Sequence, residues 1–551
     1  MNLRYLAQEG ALIQQELGFV ILLSIAALVA IFVRRIRLPY TVALVLVGLL
    51  LSLFPNLIEF EISSELILAL LVPPLLFEAT LHLPWGGLRR DLLPVLLLAL
   101  VGTLIGTFIV GGMVQQILNI PWAAAIAFGA LISATDPVAV IAFFRSLGVS
   151  KRLTILVEGE SLFNDGVAIV IFNIAVAAGA ASANGGTTHF SLSEALLEFI
   201  MVAFGGLAVG LVLGYIVSSI ILKNVDDHLI ETATTVALAF GAFLMAEAFG
   251  ELINVPGLHL SGILAVVAAG LMVGNIGSYN TSPTTKITLN NFWEFLTFVV
   301  NSLVFLLIGI RIAFRQLTPN LLPILVAVLA ILVSRAIIVY ALGWLNGRLQ
   351  PRNHIPTSYR HVMFWGGLRG AISLALALTL TDTFSPELAN ELQVMTFGVV
   401  LFTLLVQGLS IEQLIKRLGL VHKSPQQVEQ QRQQTLLYTK QAGKTELARL
   451  RQEGILSPEI WEAMDAVYDA DIVRHKADLS VHLQQFPELE QAMYLQARLD
   501  MLRAEKSALA DAAQRGLVGE EVQHALARQL NDQVAALELI QANRGLGDEK
   551  E

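Results

Sequence analysis

Carboxylates in the middle of long apolar segments are the residues of this sequence best suited to chemistry. Glu158, Ser161 and Asp165 follow one another at spacings of three and four residues, so on a helix they share one face. Glu160 and Asn164 lie on the adjoining face. A row of oxygen atoms suits a hard monovalent cation, and a carboxylate can hold a proton in the cation's place. Competition for one carboxylate would make an exchanger; the alternative is that these acids only fix helix packing.

The preceding apolar segment contains an acid directly before a proline, in the sequence Ser-Ala-Thr-Asp136-Pro137. Proline lacks the backbone donor and clashes with the preceding turn, so we expect the helix to break here. Broken membrane helices line cavities, and their freed carbonyls and dipole ends bind ions. We therefore place Asp136 at the boundary between two half-helices. The alternative is a plain proline kink that Asp136 caps.

A second interruption lies near the end of the apolar region, where Gly366, Gly367 and Gly370 surround Arg369. Three glycines around a charged residue suit an unwound segment better than a continuous helix. Each interruption falls in the middle member of a triplet of predicted helices, the fourth to sixth and the eleventh to thirteenth, and the triplets enter the membrane in opposite directions. This predicts an inverted repeat with a site at mid-membrane, typical of secondary transporters. The alternative is a glycine-packed helix pair.

Arg335 also falls inside a predicted helix, and it needs an anion because an unpaired charge in hydrocarbon is costly. Glu160 is the preferred partner, since it lies off the helix face that carries Asp165. Such a pair would be structural and would take no part in transport. The competing assignment pairs Arg369 with Glu160 or Asp136.

Membrane helices must position these residues, because most of the chain cannot face water. Its 551 residues are 55% hydrophobic and 14% charged, with a mean hydropathy of +0.68 and no cysteine. Soluble domains carry about 25% charged residues. The composition excludes a soluble enzyme, a disordered chain, a disulfide scaffold and a cysteine-ligated metal site.

Apolar stretches that can cross a hydrocarbon core of about 30 Å recur along the chain. We count thirteen, with twelve or fourteen as alternatives: residues 17–33, 39–54, 64–83, 92–118, 121–144, 151–180, 193–222, 230–249, 258–275, 292–312, 322–346, 360–381 and 390–418. The sequence therefore predicts an all-α polytopic membrane protein of about thirteen transmembrane helices.

The net charge of −9 divides the chain. Residues 1–423 hold 21 Lys and Arg against 23 Asp and Glu, whereas the last 128 residues hold 14 against 21. We therefore predict a membrane domain over 1–420 and an acidic tail over 421–551. Basic residues near predicted helix ends concentrate on one side by sixteen to three, which places the N-terminus outside and the tail in the cytoplasm. The N-terminus lacks a transit-like pattern, which favours the plasma membrane.

Two acids are expected on the cytoplasmic approach to the Asp165 face. Glu78 follows Pro73 and Pro74 and lies toward the cytoplasmic half of its helix. We expect Glu78 and Glu158 to line an access funnel.

The tail is predicted to form a small helical domain. Ser457 and Pro458 suit a helix start, as cap and first-turn proline. A second helix begins near Pro487, with an apolar stripe that includes Leu489, Leu499 and Leu502, and a third is predicted over 520–542. Such stripes favour mutual packing over a long coiled coil. Regulation or dimer support is the expected role, and the residues specify no tail partner.

Other function classes fit the sequence less well. A cation channel needs a continuous polar pore, whereas the polar residues here cluster at one depth. A membrane sensor would carry its informative chemistry in the tail. No nucleophile with a nearby histidine, zinc-protease motif or phosphate-binding glycine loop occurs. We therefore predict no enzyme activity, no cofactor and no nucleic-acid partner.

Four motifs resemble those of one transporter family. Ser-Ala-Thr-Asp136-Pro, Glu-Gly-Glu160-Ser-Leu-Phe-Asn-Asp165, Gly-Gly-Leu-Arg369-Gly-Ala and Leu-Val-Gln407-Gly-Leu-Ser-Ile are similar to motifs of the cation/proton antiporter-1 family, the NhaP and NHE-type sodium/proton exchangers. The match spans residues 15–420 in order and spacing, and the tail resembles that of cyanobacterial members.

This resemblance implies a thirteen-helix antiporter fold with two crossing broken helices, a mobile core and a dimerisation domain. The chain would exchange Na⁺, or else Li⁺ or K⁺, for H⁺ as a lipid-embedded homodimer that serves pH homeostasis and salt tolerance. Asp165 would alternate between cation and proton. Ser161, Glu78 and the carbonyl of Thr135 would complete the coordination. Asp136 would assist near the crossing, and Asn164 would form the family's Asn-Asp pair of the ion-binding site with Asp165. Asn164, in place of an acid, implies electroneutral one-for-one exchange.

Overall fold

The computed structural model describes residues 17–33, 39–53, 67–183, 192–225, 227–255, 259–277, 283–311, 317–421, 425–514 and parts of 517–537. Within these residues the structure is helical, without a β-strand. The chain divides into two compact units, Met1–His422 and Lys423–Glu551. The predicted all-α class is therefore confirmed.

The first unit is built from apolar helices joined by short connections. In chain order these are α1 (Leu17–Val33), α2 (Tyr40–Leu51), α3 (Val72–Leu81), α4 (Leu92–Leu118), α5 (Trp122–Ser133), α6 (Val138–Leu147), α7 (Lys151–Ala183), α8 (Leu192–Ile216), α9 (His228–Glu247), α10 (Gly262–Met272), α11 (Pro283–Arg311), α12 (Leu321–Leu349), α13 (Thr357–Trp365), α14 (Ala371–Thr379) and α15 (Pro386–Arg417). Within the described ranges, eight helices are long and apolar enough to cross a membrane, and five shorter apolar helices accompany them.

Small residues let several of these helices pack at backbone distance. A Cβ added at Gly48 of α2 would overlap the Leu306 carbonyl of α11, and one at Gly309 of α11 would overlap the Val45 carbonyl of α2. Without a hydrophobic driving force in lipid, such close van der Waals contact is a main source of helix association. Glycine at these positions therefore holds α2 and α11 together.

One helix begins well before the apolar stretch that predicted it. Helix α11 starts at Pro283, although the apolar stretch starts at residue 292. Its first turns are amphipathic, and the Thr285 hydroxyl there donates to the buried Glu231 carboxylate of α9. A polar contact to a neighbouring helix thus extends α11 beyond the purely apolar segment.

The second unit contains three helices, α16 (Pro425–Gln452), α17 (Pro458–Gln485) and α18 (Pro487–Gln514). The Ser457 side chain accepts from the backbone N–H of Ile460 and caps α17, at the predicted start. Helix α16 was missed as a separate element, because its glutamine-rich sequence carries no apolar stripe of its own. Helices α16 and α17 pack against each other. The third predicted tail helix, 520–542, falls on a stretch that the structure describes only in part.

Candidate functional site

The first interruption separates α5 from α6. Helix α5 ends at Ser133, and Ala134 has extended backbone angles, with φ −58° and ψ 133°. Helix α6 starts at Val138, immediately after Pro137. The carboxylate Oδ1 of Asp136 accepts from the backbone N–H of Val138 at 2.9 Å. Asp136 thereby satisfies one of the donors that a helix start leaves unpaired.

The second interruption, residues 366–370, separates α13 from α14 and touches the first. The backbone N–H of Asp136 donates to the carbonyl of Leu368 at 2.8 Å. A Cβ added at Gly370 would overlap the Asp136 side chain, so only glycine fits between α14 and this acid. The positive N-terminal ends of α6 and α14 therefore both lie beside the Asp136 carboxylate.

Helix α7 packs its polar face against the first interruption. The Ser161 hydroxyl donates to the Thr135 carbonyl, and the Asn164 amide donates to the Thr135 hydroxyl at 2.7 Å. Asp165 is buried one residue further along, with 7% of its surface exposed. Ser161 and Asn164 thus hold the extended segment around Thr135 against α7, beside Asp165.

A cavity of about 110 Å³ opens beside Asp165. Six of the residues predicted for the ion site and its funnel line it: Glu78, Thr135, Asp136, Glu158, Ser161 and Asp165. Pro137 and Gly370 of the two interruptions line it as well. Glu78 and Glu158 are only partly buried, and the Glu78 carboxylate lies 3.4 Å from the His82 ring. The structure therefore gathers these six residues around one space.

Asn164 lies away from this cavity. Its side chain lines a smaller space of about 20 Å³ together with Glu160, Arg335 and Arg369. Its amide is engaged with both the hydroxyl and the backbone N–H of Thr135, the latter at 3.4 Å. The side chain of Asn164 thus positions the broken helix and lies outside the cavity lining, and its place among the ion-binding residues stays a prediction.

The smaller space contains the buried ion pair. Arg335 and Glu160 form a two-pronged contact, in which Nη2 donates to Oε2 at 2.8 Å and Nη1 donates to Oε1. Arg335 also donates to the Met363 carbonyl of α13 at 3.0 Å. Arg369 is 3% exposed, and its Nε and Nη1 atoms have no hydrogen-bond partner among the described residues. Glu160 thus pairs with Arg335, which is the pairing preferred from the sequence, and Arg369 lies outside this ion pair.

Three further polar residues line the larger cavity and were missed by the sequence analysis. Thr297 and Asn301 lie one helical turn apart on α11, and Ser373 lies in the first turn of α14. Ser373 is 1% exposed, and neither its hydroxyl nor that of Thr297 has a hydrogen-bond partner in the described part of the chain. The available signal was polar residues at i and i+4 within an otherwise apolar helix.

The sequence of this chain is similar to those of known sodium/proton antiporters. The profile of the family described as "Sodium/hydrogen exchanger, transmembrane" matches residues 21–417. The chain is 40% identical over 420 residues to the Na⁺/H⁺ antiporter ApNhaP of Aphanothece halophytica. The aligned segment covers 75% of this chain and 77% of that protein. It is 34% identical to the low-affinity Na⁺/H⁺ antiporter NhaS1 of Synechocystis, over 92% of this chain and 94% of the relative.

A solved structure shares the fold. The sodium/proton antiporter MjNhaP1 of Methanocaldococcus jannaschii superposes with a TM-score of 0.62 at 23% sequence identity, over 74% of this chain and 99% of that one. At this identity the likeness concerns the fold alone.

Proposed function

The chain belongs to the sodium/hydrogen exchanger family, and from this premise we propose that it exchanges Na⁺ for H⁺ across a membrane at Asp165. It is a transporter and not an enzyme. The observation that carries the proposed site is the buried Asp165 carboxylate in a cavity beside the contact between two interrupted helices. Freed backbone groups and an acid at such a point are what a transported cation requires.

In this proposal a single titrating carboxylate is sufficient to exchange one Na⁺ for one H⁺. The Asp165 carboxylate can hold one Na⁺ or one proton, and the two compete for the same oxygen atoms. The neighbouring Asn164 carries no ionisable group and is committed to Thr135. Asp136 is committed to the start of α6 and to the N-terminal end of α14. We therefore propose electroneutral exchange of one Na⁺ for one H⁺, with Asp136 assisting at the crossing.

Oxygen atoms around the cavity supply the remaining ligands in this proposal. Ser161 and the Thr135 carbonyl lie on the same wall as Asp165, and Glu78 with Glu158 lines the approach. Ser373 adds a hydroxyl that is buried without a hydrogen-bond partner among the described residues. A buried unpaired hydroxyl is costly, and a cation or its remaining water would satisfy it.

The cavity lies between two groups of helices. Helices α4, α5, α7, α12, α14 and α15 pack on one another, and helices α2, α3, α9, α10 and α11 form a second packed group. Asp165 and Ser373 belong to the first group, whereas Glu78, Thr297 and Asn301 belong to the second. Rocking of the first group against the second would open the site to each side in turn.

The proposal also covers the membrane topology, the dimer contact and the tail. Helices α1 to α15 would cross the membrane thirteen times, because α5 with α6 and α13 with α14 each make one crossing. The second helix group would form the contact of a homodimer. The first unit would serve as the membrane domain and the second as a cytoplasmic regulatory tail, in the plasma membrane with the N-terminus outside.

A vesicle experiment tests substrate and ratio together. The purified full-length protein is reconstituted into liposomes with an imposed pH gradient, and Na⁺, Li⁺ or K⁺ is added with and without a clamped membrane potential. We expect Na⁺ to collapse the gradient at the same rate under both conditions. A rate that changes with the clamp would contradict one-for-one exchange, and collapse by K⁺ alone would identify a K⁺/H⁺ antiporter of the same fold.

A further inference from the structure

A second large cavity is lined by helices that contribute no residue to the lining of the Asp165 cavity. It has a volume of about 470 Å³ and lies between α12, α13 and α15. Its polar groups come from six residues, Tyr340, His361, Trp365, Ser410, Gln413 and Arg417. None of these residues belongs to the ion site or to the buried ion pair.

The cavity has an ordered aromatic wall. The Tyr340 hydroxyl is 2.6 Å from Nδ1 of His361, and the Trp365 Nε1–H donates to the Ser410 hydroxyl at 2.7 Å. The Tyr340 and His361 rings meet edge to face, with centroids 5.6 Å apart. Hydrogen bonds between three helices therefore hold these rings in place, so the wall is preformed.

Arg417 brings an uncompensated positive charge to this wall. Its side chain is exposed, and among the described residues it has no ion-pair or hydrogen-bond partner. Its neighbour Lys416 differs, because the Lys416 ammonium is 2.6 Å from the Glu412 carboxylate. The cavity thus carries one free guanidinium, which suits an anion such as phosphate.

The same helix faces become apolar toward the membrane interior. Arg417 lies in the last turn of α15, and Val406, eleven residues earlier on the same face, is 46% exposed. On α12, Ile337 lies one turn before Tyr340 and is also 46% exposed. Val406 and Ile337 lie outside the cavity lining, on the continuation of its helix faces. These faces therefore run from a cation at the helix ends, past amphipathic rings, to exposed apolar side chains deeper in the span.

We propose that this cavity binds a phospholipid with an anionic headgroup. The phosphate contacts Arg417, the headgroup lies against Tyr340 and Trp365, and the acyl chains run along Val406 and Ile337. Aromatic rings favour headgroup depth, and basic cavities between membrane helices bind acidic headgroups. The apolar continuation favours a lipid over a free phosphate, because the acyl chains of a bound lipid can pack along Val406 and Ile337, whereas a soluble anion gains nothing from them.

Lipid binding to purified full-length protein tests this site. Phosphatidylglycerol, phosphatidylcholine and glycerol phosphate are titrated separately, with bound ligand counted by native mass spectrometry and stabilisation followed by thermal unfolding. We expect phosphatidylglycerol to bind and stabilise, and Arg417→Gln to weaken its binding about fivefold. Arg417→Lys should restore most of the binding, and Lys416→Gln is the matched control that should bind as the unaltered protein does.

Three outcomes would overturn the proposal. Equal phosphatidylglycerol binding by Arg417→Gln and the unaltered protein would show that the cavity is not the site. Equal stabilisation by glycerol phosphate would identify a soluble anion as the ligand. Equal stabilisation by phosphatidylcholine would show that the headgroup charge is not recognised. Transport activity of each variant reports whether the fold is intact, so a folding failure is distinguished from lost binding.

Discussion

The backbone N–H of Asp136 donates to the carbonyl of Leu368 across 2.8 Å and joins the two interrupted helices at their breaks. A broken helix leaves backbone donors and acceptors unpaired, and in lipid each one is expensive. Here the breaks satisfy one another. A backbone hydrogen bond therefore joins the two breaks directly, and it does not occupy the Asp165 carboxylate.

Gly370→Ala should disrupt this crossing, because the new Cβ would overlap the Asp136 side chain. We expect destabilisation by about 1–3 kcal/mol, the usual cost of overpacking, with a matching loss of exchange. Thermal unfolding and vesicle transport measure both. Gly241→Ala is the control, because no atom lies within 4 Å of its added Cβ. An unchanged unfolding temperature of the Gly370→Ala variant would show that the crossing has room for the added Cβ.

Asp165→Asn should abolish Na⁺-dependent proton movement, because an amide can neither take up a proton nor neutralise Na⁺. The variant should still fold, since Asp165 supports no ion pair among the described residues. Vesicle transport and thermal unfolding, measured together, separate the two effects. Exchange at the unaltered rate in this variant would remove Asp165 from the mechanism.

Ser373→Ala should weaken apparent Na⁺ affinity by a fewfold without loss of folded protein, because its hydroxyl has no hydrogen-bond partner to lose among the described residues. Ser302→Ala is the contrasting control. The Ser302 hydroxyl is 2.7 Å from that of Tyr40 and lies outside the cavity lining, so its loss should lower stability and leave Na⁺ affinity unchanged. Na⁺ titrations of vesicle exchange measure the difference. An unchanged affinity in Ser373→Ala would exclude the hydroxyl as a ligand.

Glu160→Gln should destabilise the protein by about 3–5 kcal/mol, because removal of one partner leaves the buried Arg335 charge uncompensated. The same change at an exposed pair, Glu429→Gln beside Arg432, should leave thermal unfolding almost unchanged, because solvent screens that pair. Folded yield and thermal unfolding check both. The charge-swapped Glu160→Arg, Arg335→Glu protein should recover part of the loss. If exchanging Glu160 with Arg369 rescues folding and this swap does not, Arg369 is the functional partner.

The packing of α16 against α17 should weaken in acid. The Lys440 ammonium donates to the Asp471 carboxylate at 2.5 Å and holds the pKa of Asp471 below its ordinary value of 3.8. A carboxyl with a lowered folded-state pKa contributes stability above its unfolded pKa, and the contribution is lost as the pH falls through the folded value.

Asp471→Asn should therefore increase amide exchange in α17 near neutral pH, and this difference from the unaltered protein should vanish at a pH well below 3.8. Hydrogen exchange on the full-length chain measures it. Asp478→Asn, on the same helix and without an ion pair among the described residues, should show no difference at either pH.

Local sequence patterns were sufficient to predict the apolar helices, the two breaks and Asp165 as a candidate site residue. Long apolar stretches predict membrane helices because each span must satisfy its own backbone hydrogen bonds, and Pro137 and the glycines around Arg369 predict breaks for steric reasons. Asp165 was identifiable because a carboxyl group amid apolar residues is conspicuous. All of these signals come from residues within one or two turns of one another.

Tertiary structure decided which distant residues meet. Glu160 and Arg335 are 175 positions apart, and the sequence favoured this pair but left Arg369 as a competing partner. Ser373, Thr297 and Asn301 join the cavity only because α11 and α14 pack beside α7, whereas Asn164 turns away toward Thr135. A buried polar group is costly without a hydrogen-bond or ion-pair partner, and the packing of the helices determines which residue is that partner.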